Sequence, residues 1–386
     1  MNKRVILKGN LIKETNYKKI LKLIGKGENL TKLDIAYTLK ISIPTVTTNI
    51  NELKESGIIE EVESDIYTGG RKPKIIKLIP NSRISIGMSI TKYKVAVVAM
   101  NLLNEILISK EIDCEEDQLI TYFIKGKELV DHIIEELKIP KDNLLGIGIS
   151  IPGTLNQNLG LIEQTNMGYK EVPLNQIYDL FNDTVYVENE ANLSLLAEKH
   201  LGKYEELKNL IYIGINEGLG GGIFVNGDLY TGTSGRAGEF GQMRLVEKDT
   251  GRAYKVEDYV STRSLLTRYR QRTGEAIKSF IKFENLVKNN DPIACEILEE
   301  GIEILMMTIY NLTMVLDIET LIIGGKVGRL IKEQPVVLQN VTNKYNGIMS
   351  KLDLEINFSD IRNTTTLGAA LLPILDVYKI SNEDEV

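Results

Sequence analysis

Three amphipathic segments open the chain. Over residues 15–25, apolar side chains recur at helical spacing among lysines and a glycine ends the run, which predicts a helix. A second helix is predicted over residues 31–39. A third begins at Ser42, whose hydroxyl can cap it, and has Pro44 in its first turn, where a missing N–H costs little. The apolar positions of this third helix are Val46, Ile50 and Leu53.

The polar positions of the third helix point to nucleic acid. Two helices joined by a short turn form a helix-turn-helix, and the second helix of that motif reads base edges in the major groove. Short hydroxyl and amide side chains suit such contacts. A solvated polar face is the alternative interpretation. The predicted DNA contacts on this helix are Thr45, Thr47, Thr48 and Asn49.

Two apolar runs after the third helix predict a wing. Residues 58–60 and 75–79 read as strands, and the turn between them is rich in glycine, proline and basic residues. Arg71 and Lys72 at the tip are predicted to contact the DNA backbone or the minor groove. Residues 1–80 are therefore predicted to form a winged helix-turn-helix domain.

The remaining chain predicts an α/β body. Strands are expected over residues 84–90 and 95–100, joined by a polar turn, and residues 211–224 repeat this strand-turn-strand beginning. The repeat suggests two lobes, which we place at residues 81–200 and 201–386.

A glycine-rich centre lies in the second half of the chain. Glycines cluster at residues 218–222 between two apolar runs, and Glu239 and Gln242 stand among glycines shortly afterwards. This segment resembles the signature of the ROK family (repressor, open reading frame, kinase), whose members are sugar kinases and sugar-responsive repressors. The resemblance covers nearly the whole chain. It implies a two-lobed, actin-like (ribonuclease-H-like) ATPase-type fold, and the repressor branch carries an N-terminal DNA-binding domain.

The resemblance also implies sugar-binding residues at the cleft. Tyr169 stands where the family often has Trp, so its ring could stack on a sugar or simply be packed in a turn. The Asn189-Glu-Ala-Asn192 segment resembles the family members that respond to xylose, although side chains at the start of a helix also serve as caps. The sugar ligands implied are Asn166, Asn189, Glu190, Glu239 and Glu257.

Several positions depart from the kinase pattern of that family. Ser89 stands in the place of the carboxylate that supports Mg²⁺, and Glu217 puts a negative charge where the triphosphate needs hydrogen-bond donors. Glu190 replaces the Asp that acts as general base. Gln242 replaces the His of the family's zinc motif, and its Cys cluster is absent. We therefore expect no catalysis, no ATP or other cofactor, and no metal.

Charge and composition fit this division. The chain has 386 residues and a net charge of −7. Residues 1–80 carry 15 Lys and Arg against 9 Asp and Glu, a net charge of +6, which leaves −13 for the rest. The sequence shows neither a leader nor a long apolar run, so we expect a cytoplasmic protein without membrane contact. The isolated Cys114 and Cys295 argue against disulfides and structural zinc.

The sequence thus favours a transcriptional repressor that binds operator DNA and is controlled by a monosaccharide, with xylose preferred. A homodimer or homotetramer is expected because a palindromic operator calls for paired heads. An ATP-dependent sugar kinase with a DNA-binding appendage is one alternative. A ligand-independent DNA-binding protein with a degenerate cleft is the other.

Overall fold

The computed structural model describes residues 8–26, 29–63, 72–246, 251–349 and 354–378. Its N-terminal head is a three-helix unit with a three-stranded sheet in the order β1-β3-β2. The elements are α1 (Lys8–Gly25), β1 (Leu30–Thr31), α2 (Lys32–Leu39), α3 (Ile43–Glu55), β2 (Ile59–Glu63) and β3 (Lys74–Leu78).

Local signals determine the helix boundaries in the head. Thr31 and Asp34 form a capping box at the start of α2, and the Ser42 hydroxyl accepts a hydrogen bond from the Thr45 N–H at the start of α3. The three predicted helices and both wing strands are confirmed. Helix α1 begins earlier than predicted, at Lys8, and β1 was not predicted.

The first lobe is built on a five-stranded sheet with the order β11-β7-β4-β5-β6. Strands β4, β5 and β6 are antiparallel neighbours, whereas β7 and β11 continue the sheet in parallel. The elements are β4 (Ile84–Thr91), β5 (Lys94–Asn101), β6 (Ile106–Asp113), α4 (Leu119–Glu136), β7 (Leu144–Ile151), β8 (Gly153–Asn156), β9 (Leu161–Thr165), β10 (Lys170–Pro173), α5 (Asn175–Tyr178), β11 (Val185–Asn189) and α6 (Glu190–Leu201).

The second lobe repeats the same sheet, with the order β14-β13-β12-β17-β18. Its directions also match, because β12, β13 and β14 are antiparallel while β17 and β18 follow in parallel. The elements are β12 (Leu210–Ile215), β13 (Leu219–Val225), β14 (Asp228–Leu229), β15 (Arg244–Val246), β16 (Ala253–Lys255), α7 (Glu257–Val260), α8 (Thr262–Thr273), α9 (Phe280–Lys288), α10 (Pro292–Leu316), β17 (Thr320–Gly324), α11 (Gly325–Lys332), α12 (Pro335–Met349), β18 (Glu355–Phe358) and α13 (Thr364–Tyr378).

This repeated topology confirms the predicted two-lobed, actin-like α/β fold. Two helices nevertheless pack on the sheet of the other half of the chain. Helix α6 packs mainly on β12 and β13, whereas α13 packs on β4 and β7 and against α6. Helix α13 lies within residues 201–386, the range predicted for the second lobe, but its apolar face covers the first sheet. The division at residue 200 separates the two sheets but not their covering helices.

Helix α13 also reaches the head. Tyr378, near its end, packs against the head core, and a Cβ on Gly25 would lie 3.3 Å from the Tyr378 hydroxyl. Nearby, the Arg83 guanidinium donates to the Ser56 carbonyl at 3.0 Å. The head is therefore packed directly on the first lobe. Among the residues described, no helix combines the length and apolarity needed to cross a bilayer.

Candidate functional site

The recognition helix α3 presents a threonine-rich surface. Thr48 is exposed, while Thr45 and Thr47 are half-buried. The Thr48 hydroxyl donates to the Pro44 carbonyl at 3.1 Å, and the Thr45 and Ser42 hydroxyls lie 2.8 Å apart. These bonds are local to the helix, so they hold the hydroxyls near the surface and leave capacity for further contacts.

The prediction that Asn49 lies on the accessible face is wrong. Its side chain is only 2% exposed, and its amide donates to the Thr45 carbonyl at 2.8 Å. The reason is helical spacing: position 49 lies three residues after Val46 and four before Leu53, which places it on the apolar stripe. That spacing is visible in the sequence and could have placed Asn49 correctly.

A glutamate on β2 of the wing, Glu61, forms ion pairs with three lysines. Lys32, Lys54 and Lys74 approach the Glu61 carboxylate at 2.7, 3.5 and 3.3 Å, and the hydrogen bond from Lys32 is the main cause that lowers the pKa of Glu61 to about 2. Lys72 is exposed. Arg71, the other predicted wing contact, lies outside the described residues.

The predicted sugar ligands Asn166 and Glu257 meet at the glycine-rich loop. A Cβ on Gly218 would lie 3.2 Å from Glu257 Oε2 and 3.7 Å from Asn166 Oδ1, so both oxygens lie against the same glycine. A side chain at this position would occupy that space. Because Gly218 has no side chain, the space next to these two oxygens stays open in the β12–β13 loop.

Glu257 is held by two side chains on one side of its carboxylate. Gln242 Nε2 donates to Glu257 Oε1 at 2.9 Å, and Lys255 Nζ approaches the same oxygen at 3.2 Å. Oε2 is left on the Gly218 side. In this chain, then, an amide and an ammonium orient the carboxylate and tie β16 to the segment that follows Glu239.

Glu239 lies close to Glu257 and links the two lobes. The Thr154 hydroxyl, on β8 of the first lobe, donates to Glu239 Oε1 at 2.8 Å. Burial raises the pKa of Glu239; the Thr154 hydrogen bond opposes the rise and the neighbouring Glu257 adds to it. Two adjacent carboxylates in a mostly buried place favour a ligand that donates hydrogen bonds.

Asn189 and Glu190 lie at the start of α6, on the other side of the same loop. Asn189 is 9% exposed, and its Oδ1 caps the helix by accepting from the Asn192 N–H at 2.8 Å. Burial raises the pKa of Glu190 to about 7, and the Lys326 ammonium opposes that rise. Gly220 lies against Ala191, so the loop connects this pair to the Gly218 side.

Tyr169 takes the packed alternative. Its hydroxyl donates to the Glu116 carbonyl at 2.7 Å, and its ring packs against the core of the first lobe.

Ser89 and Glu217, two residues that depart from the kinase pattern, both contact other side chains of this chain. The Ser89 and Thr366 hydroxyls lie 2.6 Å apart in a buried place between β4 and α13. Lys326 Nζ lies 3.5 Å from Glu217 Oε1, and both side chains are more than half exposed.

Three polar side chains at this site were missed by the sequence reasoning. Each acts on a predicted ligand: Thr154 and Lys326 do so from distant parts of the chain, whereas Lys255 is two residues from Glu257. Thr154 was signalled only by its place after a Pro-Gly pair at the end of a buried strand, and Lys326 only by following Gly324-Gly325. The three are Thr154, Lys255 and Lys326.

Comparison with protein families agrees with this architecture. Residues 83–373 match the family described as ROK family. The chain belongs to the ROK family. Residues 16–60 match the description winged helix-turn-helix DNA-binding, which corresponds to the head of this ROK protein.

Individual relatives include both regulators and kinases. A xylose repressor of Staphylococcus xylosus is 26% identical over 386 residues, covering 97% of this chain and 98% of that protein. A beta-glucoside kinase of Listeria innocua is 35% identical over 206 residues, covering 50% of this chain and 70% of the kinase. The crystal structure of a ROK family transcriptional regulator, a homologue of the Escherichia coli MLC protein, superposes with a TM-score of 0.79 at 21% identity, covering 95% of this chain and 97% of the other.

Proposed function

We propose that this ROK protein is a sugar-responsive transcriptional repressor. One observation carries the proposal: a single chain combines a helix-turn-helix head with a cluster of carboxylates and amides, and the head is packed directly on the first lobe. Named xylose repressors among its relatives support xylose as the effector. The activity is regulatory and needs no chemical step.

The DNA side of the proposal uses α3 and the wing. Thr48 is exposed, Thr45 and Thr47 are partly so, and Lys72 is exposed two residues before β3. Threonine hydroxyls can reach phosphates or base edges, and lysine adds salt-dependent phosphate contact. Asn49 is left out of this set because it is buried. Arg71 stays a predicted contact on the same wing.

The sugar side uses Asn166, Glu239 and Glu257 around Gly218, with Glu190 opposite Lys326 and Asn189 serving also as a helix cap. Carboxylates accept from sugar hydroxyls, and amides both donate and accept. Because Glu239 is bonded across the lobes through Thr154, a sugar that engages Glu239 acts on both lobes. A tenfold loss of operator affinity requires only about 1.4 kcal/mol of coupling.

The contacts at the nucleotide side support a non-enzymatic function. Ser89 is bonded to Thr366 rather than offering a carboxylate for Mg²⁺, and Glu217, which pairs with Lys326, stands in place of the hydrogen-bond donors that a triphosphate needs. The beta-glucoside kinase relatives keep the kinase alternative testable. Sugar-dependent formation of ADP by the purified protein would establish that alternative and contradict ours.

Thermal unfolding against a panel of monosaccharides tests the effector. A sugar at 100 times its dissociation constant should add about 2.7 kcal/mol of stability, a visible rise in the unfolding temperature. We expect this rise with xylose, its loss in Glu257→Gln, and its retention in Glu319→Gln, whose side chain is exposed on the second lobe. If no monosaccharide shifts the transition, the ligand-independent alternative stands instead.

A matched pair of threonine variants tests the DNA contact. Thr48 and Thr267 are both exposed on helices, and each hydroxyl donates to the carbonyl four residues earlier. Thr48→Ala should weaken operator binding about tenfold, within the range of about 1–3 kcal/mol for a specific contact. Thr267→Ala, on the second lobe, should leave it unchanged. Equal affinities for both variants in a gel-shift titration would remove Thr48 from the interface.

A further inference from the structure

A polar cavity of about 130 Å³ lies between the two lobes, apart from the predicted sugar ligands. Its first-lobe wall is formed by Leu155, Gln157 and Asn158 of the β8–β9 hairpin, and its second-lobe wall by the loop of residues 231–235. Glu188, at the end of β11, completes the lining. The cavity shares none of the five predicted sugar ligands.

Glu188 is the only charged residue in this lining, and it is 8% exposed. Its Oε1 accepts from the Asn189 N–H at 2.8 Å and from Asn192 Nδ2 at 3.0 Å. Within the described ranges, Oε2 has no hydrogen-bond or ion-pair partner. Glu188 as a residue is largely buried, and a carboxylate in such a place is stabilised by a cation or a hydrogen-bond donor.

The loop opposite Glu188 supplies neutral oxygens. The hydroxyls of Thr231, Thr233 and Ser234 make no hydrogen bond to another residue that the structure describes, and all three residues line the cavity. Gly232 and Gly235 have φ of +71° and +76°, which bends this loop around the space. The loop is anchored to the hairpin, because Asn158 Nδ2 donates to the Thr233 carbonyl.

We infer that this cavity is a binding site for a monovalent cation, held by the Glu188 carboxylate and by hydroxyl, amide and carbonyl oxygens of the hairpin and the loop. Hard cations take oxygen ligands, and affinity for divalent ions rises with the number of carboxylates, of which this lining has one. The lining contains no aromatic ring on which a second sugar could stack. A single negative charge surrounded by neutral oxygens therefore matches Na⁺ or K⁺.

Such a cation would join the two lobes. Its ligands would come from β11 and the β8–β9 hairpin on one side and from the second-lobe loop on the other. Leu155 in this lining directly follows Thr154, whose hydroxyl bonds to Glu239 across the lobes. Binding should therefore stabilise the lobe arrangement in which this loop is docked.

Thermal unfolding in different chloride salts tests the site without sugar or DNA, so its outcome does not depend on the proposed function. NaCl, KCl and tetramethylammonium chloride are compared at equal ionic strength, the last being too large to be coordinated by these oxygens. We expect a saturable rise of the unfolding temperature by about 1–2 °C with Na⁺ or K⁺ only, as about 1 kcal/mol gives in a chain of 386 residues.

Glu188→Gln is the decisive variant. Its side-chain oxygen can still accept from the Asn189 N–H and Asn192 Nδ2, while the charge is lost. We expect it to abolish the saturable rise. Glu163→Gln is the control, because Glu163 pairs with Arg236 between the same hairpin and loop but does not line the cavity; it should lower the unfolding temperature and keep the cation response.

Thr233→Val provides a second test if Glu188→Gln does not fold. Removal of this hydroxyl should shift the half-saturating salt concentration upward several-fold. The proposal is overturned if the three salts give the same unfolding temperature, or if the saturable response persists unchanged in Glu188→Gln or in Thr233→Val.

Discussion

The pKa of a carboxylate in this protein depends on its desolvation and on the cations that face it. Glu61 has three lysines within 3.5 Å and a pKa lowered to about 2. Glu190 is half-buried, and desolvation, which only Lys326 opposes, raises its pKa to about 7. Glu61 is thus charged throughout the physiological range, whereas Glu190 changes its protonation near neutral pH.

The raised pKa of Glu190 predicts a pH-dependent stability. The folded protein binds this proton more tightly than the unfolded chain, whose pKa is near 4.5, so the stabilisation is complete below pH 4.5 and is lost as pH rises through 7. Relative to Glu190→Gln, the wild type should lose up to about 3 kcal/mol between pH 5 and pH 8. Urea denaturation of both proteins across this range measures the difference. A difference that is independent of pH would contradict the assignment.

At the scale of elements, α13 can approach the first sheet this closely only because the facing sheet residues include two glycines. Cβ atoms at Gly87 and Gly148 would lie 2.3 and 1.8 Å from backbone oxygens of α13. Because these are backbone atoms, they cannot move aside without displacing the helix. The same helix bonds to the sheet through Ser85, whose hydroxyl donates to the Ala370 carbonyl at 2.6 Å.

Gly148→Ala should therefore destabilise the protein by about 3 kcal/mol, the upper part of the usual range for overpacking. The urea midpoint should fall accordingly. Ser109→Ala, on the exposed face of β6, provides the control and should shift the midpoint little. An unchanged midpoint in Gly148→Ala would show that α13 is not packed this closely.

The elements that could be predicted from the sequence are those with local signals. Caps, glycines and helical periodicity located α2 and α3, and the strand-turn-strand patterns located β4–β5 and β12–β13. The partner of α13 could not be predicted, because an apolar helix face indicates burial but not which sheet covers it. The same limit applies to the site: Glu239 and Glu257 were identified by their motif, whereas Thr154 and Lys326 are distant in sequence and carry no comparable signal.

At the scale of the whole molecule, α13 connects the lobe interface with the head. Its first turn contacts Ser89 and Ser194, and its last residue, Tyr378, packs on the head core beside Gly25. A helix of 15 residues spans about 22 Å. One helix thus contacts both α6 and the domain that carries α3.

Tyr378→Ala should loosen the head without disturbing the body. Loss of a half-buried ring at this contact should cost about 1–2 kcal/mol, which corresponds to roughly tenfold faster amide hydrogen exchange in α1 and α3. Exchange in β7 should not change. Tyr230→Ala, at a tyrosine that is 56% exposed on the second lobe, is the control. Equal exchange rates in α1 for both variants would show that Tyr378 does not hold the head.

The crossing of α13 has a consequence for synthesis on the ribosome. Strands β4 and β7 are made early, but the helix that covers one face of their sheet consists of residues 364–378. The first lobe can therefore not complete its fold while the second is still being translated. A nascent chain that stops short of residue 364 leaves that apolar face open. The first lobe therefore needs protection from aggregation from its emergence until the nearly finished protein is released.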